Sequence, residues 1–243
     1  MDTVGFLVTG HVPAFEGMPH YNTDGDGGAH LYLPWWLWDH HDKLGFPRGY
    51  HSELGGGYPM PQVGTFHQAA SRYGFGLDSK KKIRAEYGCT VSFSGRGEMI
   101  PNEHSYCEID PNVVDKWGIP VLRFHFKRSD HEWKLARHME RTYTDIIETM
   151  GGRVLPLSPT AREASGMTIP GTLKHEVGTT RMGNEARSSV VNSFCQTHEV
   201  PNLFVCDGGP LVSSPDKNPT HTINALSWRA SDYMAEEMRK GAI

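Results

Sequence analysis

Histidine is the side chain that most readily changes charge near neutral pH, and this 243-residue chain carries fourteen of them. That excess leaves metal binding, proton transfer and plain structural use open, so the neighbours of each histidine must decide. His40 and His41 stand between Asp39 and Asp42. In an extended segment adjacent side chains point to opposite faces, so the two rings would not converge on one ion. Cys89, Cys107, Cys195 and Cys206 contain no Cys-x-x-Cys pair and read as scattered thiols. No metal site is expected.

Glycine spacing is the next chemical signal. Gly25/Gly27, Gly55/Gly57, Gly74/Gly76 and Gly95/Gly97 each open like a dinucleotide fingerprint, but the sixth positions hold His30, Met60, Ser79 and Ile100. A third glycine is needed there for the helix to pack close behind the pyrophosphate, so all four fail. There is no phosphate loop ending in Gly-Lys-Ser/Thr, no His-Glu-x-x-His and no Gly-x-Ser-x-Gly. One arrangement near the C-terminus survives this screen. Asn202 to Cys206 has the pattern of a buried strand, runs into Asp207-Gly208-Gly209, and leads through a loop to Asn218-Pro219. Asn at the cap and Pro at the first helical position are strong start signals, and a helix is expected from Pro219 to about Arg239, with Gly241 as its stop. A strand end that meets a helix N-terminus is where α/β folds place anionic or electron-rich ligands.

The elements that must position these residues are only partly periodic. Cys89 to Phe93, Tyr106 to Ile109 and Pro120 to Phe126 read as strands. Ser129-Asp130-His131-Glu132 matches a capping box, and a helix is expected to about Met150 with Trp133, Ala136, Tyr143, Ile146, Ile147 and Met150 on one face and Gly151 as its stop. Residues 1–80 are rich in aromatics, glycine and histidine and read as loops and short strands, with Leu31 to Trp38 either core or the wall of a pocket. The fold class expected is α+β. Lys and Arg total 24 against 28 Asp and Glu, giving a net charge of −4 and no basic stretch beyond Lys80 to Lys82, so no nucleic-acid partner is expected. Without a leader pattern or an apolar run of membrane length, the chain is expected to be soluble, in the cytoplasm or periplasm.

Taken together, four segments resemble the C-terminal signature of the glucose-methanol-choline (GMC) family of FAD-dependent oxidoreductases. They are His175-Glu176-Val177-Gly178-Thr179-Thr180-Arg181-Met182-Gly183, then Val190-Val191-Asn192, then Asn202 to Gly208, then Asn218-Pro219-Thr220-His221-Thr222-Ile223. A fainter echo, Gly97 to Pro101, Cys107 to Asp110 and Trp117 to Val121, is similar to the family's substrate-domain sheet. The resemblance implies a mainly antiparallel substrate-domain sheet backed by helices over residues 1–170. Over 171–243 it implies the signature region, with the closing strand and helix of an FAD-binding α/β domain. The implied reaction oxidises an alcohol: a base removes the hydroxyl proton while the carbon's hydride passes to flavin N5. By position His175 is implied as that base and Asn218 as the second member of a His-Asn pair. Asp207, Gly208, Asn218, Pro219, Thr220 and His221 are implied to touch FAD. Imidazole can accept a proton near neutral pH, and an amide can hold the same hydroxyl oxygen without competing for it.

The pattern departs from the family where the ADP end of the cofactor is gripped, since the glycine fingerprint is missing. The chain is therefore read as a fragment whose N-terminal FAD-binding half lies elsewhere; a separate polypeptide for that half, or a product that does not bind FAD, are the alternatives. A non-redox lyase on the same scaffold and a non-catalytic partner subunit are the competing functions. Aromatic and polar residues between 31 and 58 favour a sugar or polyol substrate, with an electron acceptor that the sequence does not identify. Arg181 is expected to pair with a carboxylate, and His198 to be structural.

Overall fold

The computed structural model describes residues 1–18, 31–56, 70–86, 88–156, 166–173 and 175–243. Its centre is a five-stranded sheet in the order β2-β3-β4-β1-β7, formed by β1 (Val4–His11), β2 (Leu31–Leu33), β3 (Tyr50–Gly56), β4 (Thr90–Gly97) and β7 (Arg153–Val154). Every pairing is antiparallel. Two further strands, β5 (Tyr106–Val114) and β6 (Pro120–His125), form a separate antiparallel pair. The helices are α1 (Leu77–Glu86), α2 (Asp130–Thr149) and α3 (Thr220–Lys240). The α+β class with a mainly antiparallel sheet is the one the sequence predicts.

The capping box at the start of α2 forms as expected. Ser129 Oγ accepts from the His131 amide, and the Glu132 carboxylate accepts from the Ser129 amide at 2.6 Å, so orphan donors of the first turn are satisfied. The buried face is shifted from the expected one. Leu135, Ala136, Met139, Tyr143 and Ile147 are fully buried, whereas Trp133 and Ile146 are half-buried and Met150 is exposed. Burial of such side chains stabilises by about 1.5–3 kcal/mol each. The helix lies unusually close to the sheet: a Cβ at Gly10, Gly95 or Gly97 would sit 2.5, 2.5 or 2.2 Å from Ile147, Met139 or Leu135.

Strand alternation gives the sheet two faces. Tyr50 and Ser52 meet His138 and Tyr143 of α2, while Gly5 on the other side faces Thr168 and Leu173. Residues 1–80, read as loops and short strands, contribute an eight-residue strand, β1, to the interior of the sheet. Trp35 is core, packed on Phe46 and Tyr50, whereas Trp36 and Trp38 are exposed, so the aromatic run divides rather than forming one wall. His40 and His41 lie in a 3-10 turn, not an extended segment. Among the described residues no cluster of three or more His, Cys, Asp or Glu could hold a metal. No helix among them is long and apolar enough to cross a membrane.

Two C-terminal expectations need correction. The segment 202–206 is not a strand; it makes one isolated bridge, Gln196 to Phe204, and Leu203 and Cys206 are exposed. A buried strand requires hydrogen-bonding neighbours on its edges, and the described residues supply none beyond that bridge. Helix α3 begins at Thr220 with Pro219, not Asn218, as its cap residue, and no side chain caps it. Its end matches, with Gly241 in the left-handed conformation. Along α3 Ala230 is buried, whereas Ile223, Leu226, Tyr233 and Met234 are half-exposed and Trp228 is exposed.

Candidate active site

His175 lies where the far side of the sheet meets the C-terminal signature. Its Nδ1 is 3.4 Å from Thr3 Oγ1, at the entry to β1. The same hydroxyl donates to the Pro215 carbonyl at 3.4 Å and sits 3.5 Å from the buried Ser214 Oγ. Thr3 thus joins the histidine to the loop that runs on to Asn218. Asp2, also buried, accepts from the Thr3 amide at 2.8 Å and from the Gly171 amide at 2.9 Å, fixing both chain segments that flank the contact. The Val177 amide donates to the Met1 carbonyl, so the signature is tied to the start of β1 by main chain as well.

Electrostatics favour a neutral imidazole. His175 is half-buried, and desolvation pushes its pKa below the usual histidine value; the Arg96 guanidinium adds to that shift, while Asp2, Glu176 and Glu53 oppose it. Neutrality at physiological pH is what a proton acceptor needs. His51 and Glu53 on β3 and Arg96 on β4 share this face of the sheet, with Arg96 Nε 2.9 Å from Glu53 Oε1.

The signature itself folds as an irregular ladder. Gly178, Thr180 and Met182 donate to the carbonyls of Gly208, Gly209 and Pro210, so the His175 segment and the Asp207 segment run side by side. The absence of side chains at Gly208 and Gly209 permits this: a Cβ at 208 would meet Val177 Cγ1 at 3.0 Å, and one at 209 would meet Thr180 Oγ1 at 2.0 Å. Asp207 is exposed and accepts from the Gly209 amide at 2.7 Å. Asn218, Thr220 and His221 are exposed at the N-terminal end of α3, and Pro219 is buried. Arg181 donates to the Ser188 carbonyl at 2.7 Å, where a carboxylate partner was expected. His198 is held by Ser189 Oγ at 3.0 Å and faces the Gly183 carbonyl, a structural setting as expected.

These residues fit the part of FAD that they would meet. The first turn of a 21-residue helix carries no side-chain cap, and the buried Thr180 hydroxyl beside Gly209 makes no hydrogen bond. An uncapped helix N-terminus favours an electron-rich ring edge or a phosphate. A cavity of about 1090 Å³ opens between the β5–β6 pair and the ladder, lined in part by Phe124, Phe126, Glu176, Arg181 and Leu203. It adjoins His175 but does not contain it.

Sequence reasoning missed Asp2, Thr3, His51, Glu53 and Arg96. The two polar residues before an apolar alternation, and the Tyr-His-Ser-Glu alternation over 50–53, were the only local signals.

Comparison with known proteins accords with this geometry. A family model described as GMC oxidoreductase matches residues 101–227. The chain is 31% identical over 161 residues to the 2-methyl-1,2-propanediol dehydrogenase of Mycolicibacterium austroafricanum, which covers 66% of this chain and 28% of that protein. It is 28% identical over 165 residues to the fructose dehydrogenase large subunit of Gluconobacter japonicus, covering 68% and 28%. Among solved structures it resembles an Aspergillus oryzae RIB40 formate oxidase described for its FAD modification, with TM-score 0.60, 15% identity, and coverage of 99% of this chain and 47% of that one. The chain therefore spans well under half the length of these curated relatives. With that family model matching over half of its residues, the chain belongs to the GMC oxidoreductase family, whose cofactor is FAD.

Proposed function

We propose that this chain forms the substrate-facing part of an FAD-dependent oxidoreductase that oxidises an alcohol group of a sugar or polyol, with His175 as the base and Asn218 as its partner. The observation that carries the reading is the setting of His175. Thr3 gives its one proton to the Pro215 carbonyl, so its oxygen accepts from His175 Nδ1–H. That tautomer leaves Nε2 with a free lone pair. Burial and Arg96 keep the ring neutral, so Nε2 is ready to take the substrate's hydroxyl proton.

Asn218 precedes the N-terminus of α3, and its amide can donate to the same hydroxyl oxygen without removing a proton from it. Bound FAD supplies the acceptor for the hydride at N5. The uncapped first turn of α3 and the exposure of Asp207, Asn218, Thr220 and His221 support Asp207, Gly208, Asn218, Pro219, Thr220 and His221 as the residues that hold the cofactor. The diol and sugar named in the two dehydrogenase relatives support an alcohol of the polyol class.

The test is His175→Ala in the intact flavoprotein, followed by anaerobic mixing with 2-methyl-1,2-propanediol and with fructose. Flavin bleaching by either alcohol in the wild type distinguishes a redox enzyme from a lyase. The variant is expected to keep its FAD yet reduce it about 10²–10⁴-fold more slowly, the range for loss of a general base. Reduction at the wild-type rate would overturn the assignment.

A further inference from the structure

His51 is buried to 1% exposure on the site side of β3, although a lone histidine gains little from such a position. Its ring faces a carboxylate at each nitrogen. Nε2 is 3.4 Å from Glu53 Oε1, and Nδ1 is 3.6 Å from Asp216 Oδ2. Nδ1 makes no hydrogen bond within the usual limit, and Tyr32 stacks on the ring at 5.3 Å. Glu53 is itself paired with Arg96, directly across from His51 in the β3–β4 register. A chain of polar contacts therefore runs from the middle of the sheet through Glu53 and His51 to Asp216, which also pairs with Lys217.

Asp216 belongs to the loop that delivers Asn218. Three contacts hold the start of that loop: the Ser214 amide donates to the Met99 carbonyl at 3.1 Å, the Ser214 hydroxyl lies beside Thr3, and the Pro215 carbonyl accepts from Thr3. Past Pro215, the contact with His51 is the tie found among the described residues from the sheet to the loop, two residues before the asparagine. Burial acts to raise the Asp216 pKa, but its close contacts with His51 and Lys217 hold it below the usual carboxylate range.

We propose that His51 is a positioning residue: by joining the sheet to Asp216 it fixes the loop 214–217, and through it the place of Asn218 relative to His175. The proposal rests on the reading of Asn218 given above. A ring locked by Tyr32 and by two acidic partners transmits the position of β3 to the loop, while β4 fixes Glu53 through Arg96. Among the described residues Asn218 makes no hydrogen bond of its own, so its placement is set by the loop before it together with the buried Pro219 that follows.

The test uses the full-length flavoprotein and two readouts. The first is hydrogen exchange of amides in the peptide 211–219. His51→Gln and Asp216→Asn are each expected to speed it about fivefold or more while the α2 amides keep their rate, because only local opening is eased. The second is the rate of anaerobic flavin reduction by fructose or 2-methyl-1,2-propanediol, measured for each variant with and without Asn218→Ala. His51→Gln is expected to slow reduction about tenfold with FAD retained and KM little changed, and to add less than about twofold once Asn218 is already alanine. Unchanged exchange at 211–219, or faster exchange everywhere, overturns the proposal whichever alcohol is used. A full tenfold loss in the Asn218→Ala background also overturns it and leaves the role of Asn218 standing. Wild-type reduction by Asn218→Ala alone overturns the role of Asn218 and the positioning proposal with it.

Discussion

Gly97 of β4 sits under Leu135 of α2, and replacing it with alanine measures how tightly the helix is seated on the sheet. A Cβ there would lie 2.2 Å from Leu135 Cδ2 and 2.9 Å from Met139 Cε. Carbon atoms in contact stand about 3.5–4.0 Å apart, so the helix side chains or the helix itself must move. Leu135 and Met139 are both fully buried in the core between α2 and the sheet, so any movement disturbs their packing neighbours. Gly97→Ala is therefore expected to cost about 1–3 kcal/mol, as for other overpacked cores. Leu135→Ala alone should cost about 2–5 kcal/mol from lost burial and the cavity it leaves. In the double variant the new methyl occupies space that Leu135 has vacated, so the combined cost should fall short of the sum by about 1–2 kcal/mol. Urea unfolding of the intact protein, followed by far-UV circular dichroism at fixed pH, gives the four midpoints needed. Additivity within about 0.5 kcal/mol would refute the close approach of α2 to β4 at this point.

Three further outcomes follow from the same structure. Burial holds the His131 and His138 rings below the histidine value of 6.5, with Arg48 and His41 adding to it at the first and Arg141 at the second. The unfolded chain then binds protons that the folded one refuses, so stability is complete above 6.5 and falls as pH drops toward the folded values; a urea midpoint that did not fall from about pH 7.5 to about pH 5 would contradict this, and His138→Phe should lessen the fall. The fully buried Tyr143 hydroxyl meets Ser52 Oγ at 2.5 Å, so Tyr143→Phe should cost about 1–3 kcal/mol by orphaning Ser52, and adding Ser52→Ala should recover part of it on the same unfolding assay. With His175 as the proposed base, which must be neutral to accept a proton and whose pKa lies below the usual value, flavin reduction should lose rate on an acid limb below about 6.5, and Arg96→Gln should move that limb upward; an unmoved limb in a pH series of stopped-flow traces would remove Arg96 from the electrostatics of the site.

Local patterns made part of this molecule legible. The box Ser129 to Glu132 and the glycine at 151 bounded α2 to within a residue, because capping is a contest among neighbouring backbone groups and needs nothing distant. Gly241 stopped α3 for the same reason. The apolar face of α2 is less legible: Leu135 and Met139, not among the residues named for it from the sequence, are the ones that β4 leaves room for through Gly97 and Gly95. The segment 202–206 looked like a strand because strand propensity measures fit to a pleated surface, and the described residues provide no such surface around it.

The sequence by itself determined the family signature and the α+β class, showed that the given residues lack a glycine fingerprint, and singled out His175, Asn218 and Asp207 as candidates. Each is a matter of residue type and short spacing. Tertiary structure alone decided that the start of β1 supplies the contact for His175, and that Arg96 and Glu53 of the sheet act on it electrostatically. It also decided that a buried histidine reaches the loop before Asn218. Thr3 and His175 are 172 residues apart, and His51 and Asp216 come from opposite ends of the chain. Pairings at that separation leave no periodicity in the sequence, because they are set by strand order and register rather than by any local preference.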